Sequence, residues 1–228
     1  MRDKRSAPAS SADRAAGPIP RSRYVVYFGI ALLGCAADLV TKQVMFSWLG
    51  LPGHFVDPAD PANLARWRGD PTLPHRWWLI DERLGIETSV NTGALFGMAP
   101  GYWWLFASLS ILATIGILTW LFVYGAARDR WLTVALGSIT GGILGNLYDR
   151  LALWNPVGLK PEFAHGVRDW ILFKWPELGW KLFDPWPNFN IADSLLVTGA
   201  IMLVVHAIVW RETKESGDGK KPAATKAS

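Results

Sequence analysis

The chain has 228 residues, of which half are hydrophobic and only 18% are charged, a balance that excludes a typical soluble protein of this size. A single cysteine and four scattered histidines exclude a disulfide framework and give no spacing that would predict a metal site. The net charge of +4 is concentrated in the two tails, which favours basic cytoplasmic flanks of a membrane protein over a nucleic-acid-binding surface.

Both ends of the chain lack a periodic apolar pattern. Residues 1–23 are rich in Arg, Ala, Ser and Pro, and residues 211–228 have a similarly polar composition. Such segments bury too little apolar surface to offset the entropy of ordering. We therefore predict two disordered basic tails on either side of one membrane domain at 24–210.

Four apolar segments between the tails are long enough to cross a bilayer. At about 1.5 Å of rise per residue, each can span a hydrocarbon core about 30 Å thick, the third only just. The predicted fold class is an all-α integral membrane protein with four transmembrane helices. The spans cover about residues 24–46, 103–124, 131–147 and 191–210.

Lys and Arg in the flanks predict the orientation. The two tails and the tight turn with Arg128 and Arg130 fall on one side of a four-span protein, and basic flanks favour the cytoplasmic side. Both termini are then cytoplasmic, and the long loops 47–101 and 151–190 are extracytoplasmic. Residues 76–93 alternate apolar and polar side chains in the manner of strands. We expect a small β-rich cradle there, resting on the membrane surface near Trp77, Trp78, Trp103 and Trp104.

A competing interpretation concerns residues 32–35, LLGC. A basic segment and a short apolar run precede Cys35, as in the signal peptide of a bacterial lipoprotein. A lipoprotein precursor would be cut before this cysteine, and the remainder would be exported as a soluble domain. Because the apolar run continues beyond Cys35 and three more apolar segments follow, we interpret the stretch as part of the first membrane helix.

Two charged residues lie inside the first predicted span. Asp38 and Lys42 are four residues apart, so they share a helix face and can neutralise each other. A charge within a membrane costs roughly 2.5–3.5 kcal/mol on insertion scales, so each requires a partner or a function. The sequence leaves open whether the two form a structural ion pair or contact a substrate.

The third predicted span ends in GGILGNLYDR, residues 141–150. At this outer end, Asn146, Asp149 and Arg150 can hydrogen-bond a substrate backbone or clamp the adjoining loops. Small residues at every fourth position predict close packing against a neighbouring helix. These are Gly137, Gly141 and Gly145.

Two aspartates on the outer side are candidates for catalysis. Asp169 lies in HGVRDW of the second outer loop, and Asp193 lies in FNIADS at the start of the fourth span. Taken alone, Asp193 has the position of a helix cap. If the two carboxylates converge, they cannot both ionise cheaply, so one keeps a proton and the pair can activate water. Their spacing in the sequence does not show that they converge.

Five short motifs follow one another along the chain: DLVTK (38–42), NTGALF (91–96), GGILGNLYDR (141–150), GVRDW (166–170) and FNIAD (189–193). In this order, on a four-span chain, they resemble the lipoprotein signal peptidases (signal peptidase II) of bacteria. The resemblance implies an aspartic endopeptidase of the inner membrane that removes the signal peptide of diacylglyceryl-modified prolipoproteins, cutting just before the lipidated cysteine.

The resemblance also implies roles for residues at the motif positions. It makes Asp169 and Asp193 the catalytic pair and implies no metal or organic cofactor. Prolipoproteins and membrane lipids are the expected partners of a chain that nothing requires to be more than a monomer. The other matching positions support the site or contact the substrate or the inhibitor globomycin. They are Asp38, Lys42, Asn91, Gly93, Gly142, Asn146, Asp149, Arg150, Asn190 and Ala192.

The sequence departs from the compact family pattern in its outer loops. Residues 50–76, residues 152–165 and the stretch between the two aspartates are extended, so we expect the outer surface to differ in shape from the family pattern. We expect the substrate's signal helix to enter laterally among the helices, with Asn146 and Asn190 steadying its backbone or the aspartates.

Three alternatives remain open from the residues alone. A small transporter or channel would place charges near the membrane midplane, whereas these charges cluster towards one interface. A membrane scaffold would make the aspartates dispensable. Another class of intramembrane aspartyl protease carries a Gly-x-Gly-Asp signature, which this sequence lacks.

Overall fold

The computed structural model describes residues 17–52, 76–93, 101–156, 158–175 and 186–218. Within these ranges the chain forms four long helices and a three-stranded antiparallel sheet. The predicted features at residues 1–16, 53–75, 94–100, 157, 176–185 and 219–228 lie outside them, including the second half of the NTGALF motif.

The helices follow the apolar segments, with shifted ends. The helix that begins at Trp103 ends in a π-helical turn at Thr119–Val123. The Asp129 side chain caps the next long helix by accepting from the backbone N–H groups of Trp131 and Leu132 at 2.7 and 3.2 Å. The helices are α1 (Arg21–Leu49), α2 (Trp103–Leu118), α3 (Arg130–Arg150) and α4 (Ile191–Asp218).

Two of these ends fall inside the segments predicted to be disordered tails. Helix α1 begins at Arg21 rather than at residue 24, and α4 continues beyond residue 210 to Asp218. Extending an existing helix adds one hydrogen bond for each residue fixed, so a polar continuation is cheap once the helix has formed. Loss of the apolar pattern therefore places the start of α1 too late and the end of α4 too early.

Helix α3 is the centre of the bundle, because most of its 21 residues are buried. The other helices expose large apolar side chains such as Leu33, Ile115 and Val204. In the described residues, three helices are long and apolar enough to cross a membrane, namely Arg21–Leu49, Trp103–Val123 and Ile191–Val209. Helix α3 is not among them.

The glycines of α3 allow close approach by two neighbouring helices, α1 and α4. A Cβ built on Gly141 would lie 3.0 Å from the carbonyl oxygen of Ala31 in α1. A Cβ on Gly142 would collide with the carbonyl oxygen of Ala192 in α4. Both contacts are with backbone, which cannot move aside cheaply, so the absence of a side chain sets how closely the helices approach.

The sheet lies at the C-terminal end of α3 and carries one candidate aspartate. Strands β1 (Arg76–Ile80) and β2 (Leu84–Asn91) pair antiparallel within residues 76–93, where strands were expected. Strand β3 (Val167–Phe173) was expected as loop, but it pairs antiparallel with β2, with Ser89 opposite Asp169. Pairing with a distant strand, which local sequence does not encode, gives this segment its extended form.

Gly142→Ala should lower the free energy of unfolding by about 1–3 kcal/mol, because the added methyl group forces α3 and α4 apart. Unfolding of the purified protein in a mixed-detergent titration measures the change. Gly116→Ala is the matched control, since a Cβ at Gly116 meets nothing within 4 Å. Equal stability of the two variants would contradict the proposed close approach.

Candidate active site

Asp169 and Asp193 line one cavity of about 890 Å³. Strand β3 supplies Asp169, and the first turn of α4 supplies Asp193. The packing of the sheet against the end of α3 and the start of α4 thus brings together two carboxylates from different elements. Asn91, Asn146 and Arg150 line the same cavity.

Asn190 connects the two carboxylates. Its side-chain Nδ2 donates to Asp169 Oδ1 at 2.7 Å. Its backbone N–H donates to Asp193 Oδ2 at 3.2 Å, and Asp193 N–H donates to Asn190 Oδ1 at 2.9 Å. This reciprocal pattern is a capping box, with Asn190 as the cap and Asp193 three residues later. The start of α4 therefore fixes the position of Asp193.

Asn146 links the two carboxylates to the buried charges behind them. Its Nδ2 donates to Asp193 Oδ1 at 2.8 Å. Its Oδ1 accepts from Asn190 Nδ2 at 3.1 Å and from the ammonium of Lys42 at 3.0 Å. Because an ammonium only donates, the amide oxygen must face Lys42, and the amide N–H groups then face Asp193.

Lys42 lies at the centre of a buried charge network. Its Nζ is 2.6 Å from Asp38 Oδ2 and 3.0 Å from Asp149 Oδ2. Arg168 also pairs with Asp149, at 2.8 and 2.9 Å from Oδ1. Neither Asp38 nor Lys42 lines the cavity. This arrangement favours the ion-pair interpretation of the two residues over direct substrate contact.

Ala192 and Gly142 bring α4 up to this network. The backbone N–H of Ala192 donates to Asp38 Oδ1 at 2.9 Å, and the methyl group of Ala192 is fully buried. Any side chain at Gly142 would displace this part of α4. Both positions therefore set the geometry of the helix start that carries Asp193.

Arg150 is the cation at the edge of the cavity. Its Nη2 donates to the carbonyl oxygen of Gly93 at 2.8 Å, and its guanidinium lies over the Phe106 ring, 4.7 Å from the centroid. Gly93 in turn donates its N–H to Asn91 Oδ1 at 3.0 Å. Within the described part of the chain, Nη1 of Arg150 is buried without a hydrogen-bond partner.

The pKa of Asp169 lies well above its ordinary value. Burial is the largest cause, since the residue is only 3% exposed. The negative charge of Asp193 raises the pKa further, while Lys42, Asn190 and Asn91 lower it. Desolvation and a nearby like charge both favour a protonated carboxyl group.

All twelve residues predicted for the site therefore lie in the cavity wall or in the contacts directly behind it. Arg168 was not predicted, although it is buried and pairs with Asp149. Its position next to Asp169 in GVRDW is a signal that could have found it. Among the described residues, no three His, Cys, Asp or Glu side chains are grouped as a metal site would require.

A family model for Signal peptidase (SPase) II matches residues 30–209. The chain belongs to the signal peptidase II family. It is thus a protease by family, which confirms the resemblance drawn from the five motifs.

Relatives of the signal peptidase II family match nearly the whole chain. A lipoprotein signal peptidase of Rhodopirellula baltica is 43% identical over 234 residues, covering 96% of this chain and 94% of its own length. A lipoprotein signal peptidase of Rhodococcus jostii is 30% identical and covers 86% of this chain and 78% of its own length.

Solved structures share the fold. A bacterial membrane enzyme determined by the in meso method at 2.3 Å resolution has a TM-score of 0.58 and is 23% identical. It covers 89% of this chain, and 95% of that chain is matched. A second bacterial membrane enzyme, at 1.9 Å resolution, has a TM-score of 0.54 and 24% identity. This chain therefore shares its fold with these two bacterial membrane enzymes.

Asp169→Asn should raise the melting temperature relative to wild type, and increasingly so as the pH rises. A raised folded pKa means that the stability contributed by protonated Asp169 is complete below the ordinary pKa of about 3.9 and is lost as the pH rises to the folded value. Asparagine does not ionise, so the variant does not lose stability at this position as the pH rises. Thermal unfolding in detergent at a series of pH values measures the difference. Asp81→Asn, in the exposed β1–β2 turn, is the control, and a flat difference for Asp169→Asn would contradict the shift.

Lys42→Met should destabilise the fold by about 3–5 kcal/mol, because it leaves the carboxylates of Asp38 and Asp149 buried without their shared cation. A mixed-detergent unfolding titration gives the free energy. Lys174→Met serves as the control, since its ammonium lies over the Trp78 ring rather than between carboxylates. A loss for Lys42→Met no larger than that of the control would show that the network contributes little.

Proposed function

We propose that this chain is a membrane aspartic endopeptidase that removes the signal peptide from diacylglyceryl-modified prolipoproteins, cleaving just before the lipidated cysteine. The observation that carries the proposal is the hydrogen-bonded arrangement in which Asn190 connects Asp169 and Asp193 in the wall of one cavity. Family membership supports the reaction class. The relatives named above are lipoprotein signal peptidases, and this chain matches most of their length.

In the proposed mechanism, the two aspartates share one proton. Asp169 is the more buried and carries the raised pKa, so it holds the proton and polarises the scissile carbonyl group. Asp193 lies at the positive end of α4 and accepts hydrogen bonds from Asn146 and Asn190, which stabilise a carboxylate. The carboxylate of Asp193 takes a proton from water, whose oxygen attacks the carbonyl carbon while Asp169 gives its proton to the carbonyl oxygen. As the carbonyl group re-forms, Asp169 takes its proton back, Asp193 gives its proton to the amide nitrogen of the lipidated cysteine, and the C–N bond breaks.

The remaining polar groups of the cavity bind the substrate in this proposal. Arg150 lines the cavity, and its guanidinium group can donate a hydrogen bond to a substrate carbonyl oxygen. Asn146 and Asn190 hold the aspartates, and Asn91 contributes to the environment of Asp169. These assignments divide the predicted residues into a catalytic pair, one substrate-binding cation and a supporting set.

The cavity walls suit an apolar signal peptide. Side chains from α2, α3 and α4 supply most of the lining away from the aspartates, and apolar groups predominate there. A helix or extended segment that enters from the bilayer would bury its own apolar side chains against them. Lining residues from the three helices include Leu109, Ala113, Ile143, Leu196 and Val197.

The proposed topology has four spans and an extracytoplasmic active site in the bacterial inner membrane. Helix α3 adds one span to the three strongly apolar helices. Its 21 residues give a length of about 31 Å, which is enough to cross the hydrocarbon core. The basic tails and the α2–α3 turn lie in the cytoplasm by the distribution of Lys and Arg. The sheet forms a cradle at the outer surface, and exposed Trp77 and Trp104 anchor it at the lipid interface. The membrane domain at 24–210 acts as a monomer in contact with lipids.

Asp169→Asn and Asp193→Asn should each reduce cleavage by at least about 10²-fold, since a positioned acid or base contributes roughly 10²–10⁴. The assay uses the purified full chain in detergent with a diacylglyceryl-modified prolipoprotein. Mass spectrometry of the product locates the cut.

The control is Asp129→Asn, which alters a carboxylate at the opposite end of α3. Near-normal cleavage by either active-site variant would remove that aspartate from the catalytic pair. A folded wild-type chain that leaves the substrate intact would contradict the function, and a transport assay in vesicles would then test the transporter alternative.

A further inference from the structure

We propose that His165 is a positioning residue that fixes Arg150 for substrate binding. The inference rests on the proposed function, in which Arg150 receives a substrate carbonyl group. His165 belongs to the segment at 152–165 in which this chain departs from the compact family pattern. It lies in neither the catalytic pair nor the cavity wall.

The imidazole of His165 makes two specific contacts. It stacks on the indole of Trp103, with ring centroids 3.7 Å apart and planes within 5° of parallel. Its Nδ1 is 2.9 Å from the backbone carbonyl oxygen of Arg150. A carbonyl oxygen only accepts, so Nδ1 carries a proton and donates it in this bond.

The carbonyl group that His165 binds lies at the C-terminal end of α3. Arg150 is the last residue of α3, and the last four carbonyl groups of a helix lack partners within it. His165 satisfies one of them and thereby holds the final turn, from which the guanidinium extends to the cavity. The bond acts on the backbone of Arg150 and leaves its head group available.

Helix α2 holds the other end of the same arginine. Trp103 and Phe106 are three residues apart and therefore lie on one face of the first turn of α2. Trp103 supports His165, while Phe106 lies beneath the guanidinium of Arg150. One turn of α2 thus supports both the backbone and the head group of the residue.

Fixing Arg150 in place affects the affinity for substrate more than the rate of the chemical step. A free arginine side chain loses substantial rotamer entropy when it binds, and fixing it beforehand reduces that cost. His165 does not touch the aspartates in the described contacts. Its loss should therefore weaken substrate binding while leaving the chemical step nearly unchanged.

The test measures KM and kcat for three variants on the diacylglyceryl-modified prolipoprotein. His165→Ala removes both contacts, and we expect KM to rise about five- to tenfold with kcat within about twofold of wild type. His165→Asn keeps a donor near the position of Nδ1, and His165→Phe keeps a ring on Trp103. Each should recover part of the loss. Both also preserve bulk, so they remain informative if His165→Ala does not fold.

A double-mutant cycle with Arg150→Lys decides whether His165 acts through Arg150. In the Arg150→Lys background, a further His165→Ala change should alter KM by less than about twofold, because the arginine that it positions is already absent. The same fold-change in both backgrounds would overturn the proposal. So would a fall in kcat that parallels a fall in melting temperature in all three variants, since that pattern indicates a merely structural residue.

Phe28→Leu provides the matched control, because Phe28 also takes part in a ring stack, but with Phe122 in the π-helical turn that follows α2. It should leave KM unchanged. If wild type cleaves and the cycle is additive, only the role of His165 falls. If wild type does not cleave, the proposed function falls as well, so the two failures are distinguishable.

Discussion

The position of the Lys42 ammonium between the carboxylates of Asp38 and Asp149 constrains the rest of this structure. Burying a charge costs several kcal/mol unless a partner is held at good geometry. Two cations, Lys42 and Arg168, meet two anions here, and all four side chains are at most 2% exposed. Because the four come from α1, α3 and β3, the need for pairing holds these elements in register. The aspartate that follows Arg168 is positioned as a result.

The small residues of α3 serve this electrostatic constraint as well as packing. A Cβ on Gly145 would lie 2.5 Å from Asp38 Oδ2, in the space that the ion pair occupies. The backbone N–H of Ala192 reaches the other oxygen of Asp38 only because α4 passes close to Gly142. Close approach therefore lets the N–H of one helix solvate a charge on another, which a lipid-filled gap could not do.

Features that depend on near neighbours in the sequence were predictable. The apolar segments located the four helices, although α4 continues well beyond its predicted end, alternation located strands within residues 76–93, and a spacing of four residues paired Asp38 with Lys42. Periodicity works here because each of these contacts lies within a single element or a tight turn.

Features that depend on distant contacts were not predictable from the residues alone. The third partner of the ion pair, Asp149, lies on another helix, and β3 takes its form from β2. Neither leaves a local pattern. The meeting of Asp169 with Asp193 was suggested only by resemblance to a family, and it depends on a strand that composition did not reveal.

The burial of α3 also bears on how the chain enters the bilayer during synthesis. A helix rich in glycine and hydroxyl groups gains little by partitioning alone into lipid, whereas α2 is strongly apolar. The short turn around Gly125, whose backbone is left-handed at φ 78°, keeps α2 and α3 adjacent. In the proposed four-span topology, the two helices can therefore insert together as a hairpin, in which apolar α2 lowers the cost of inserting polar α3. Lys42 of α1 would then pair with Asp149 only after both α2 and α3 are in the membrane.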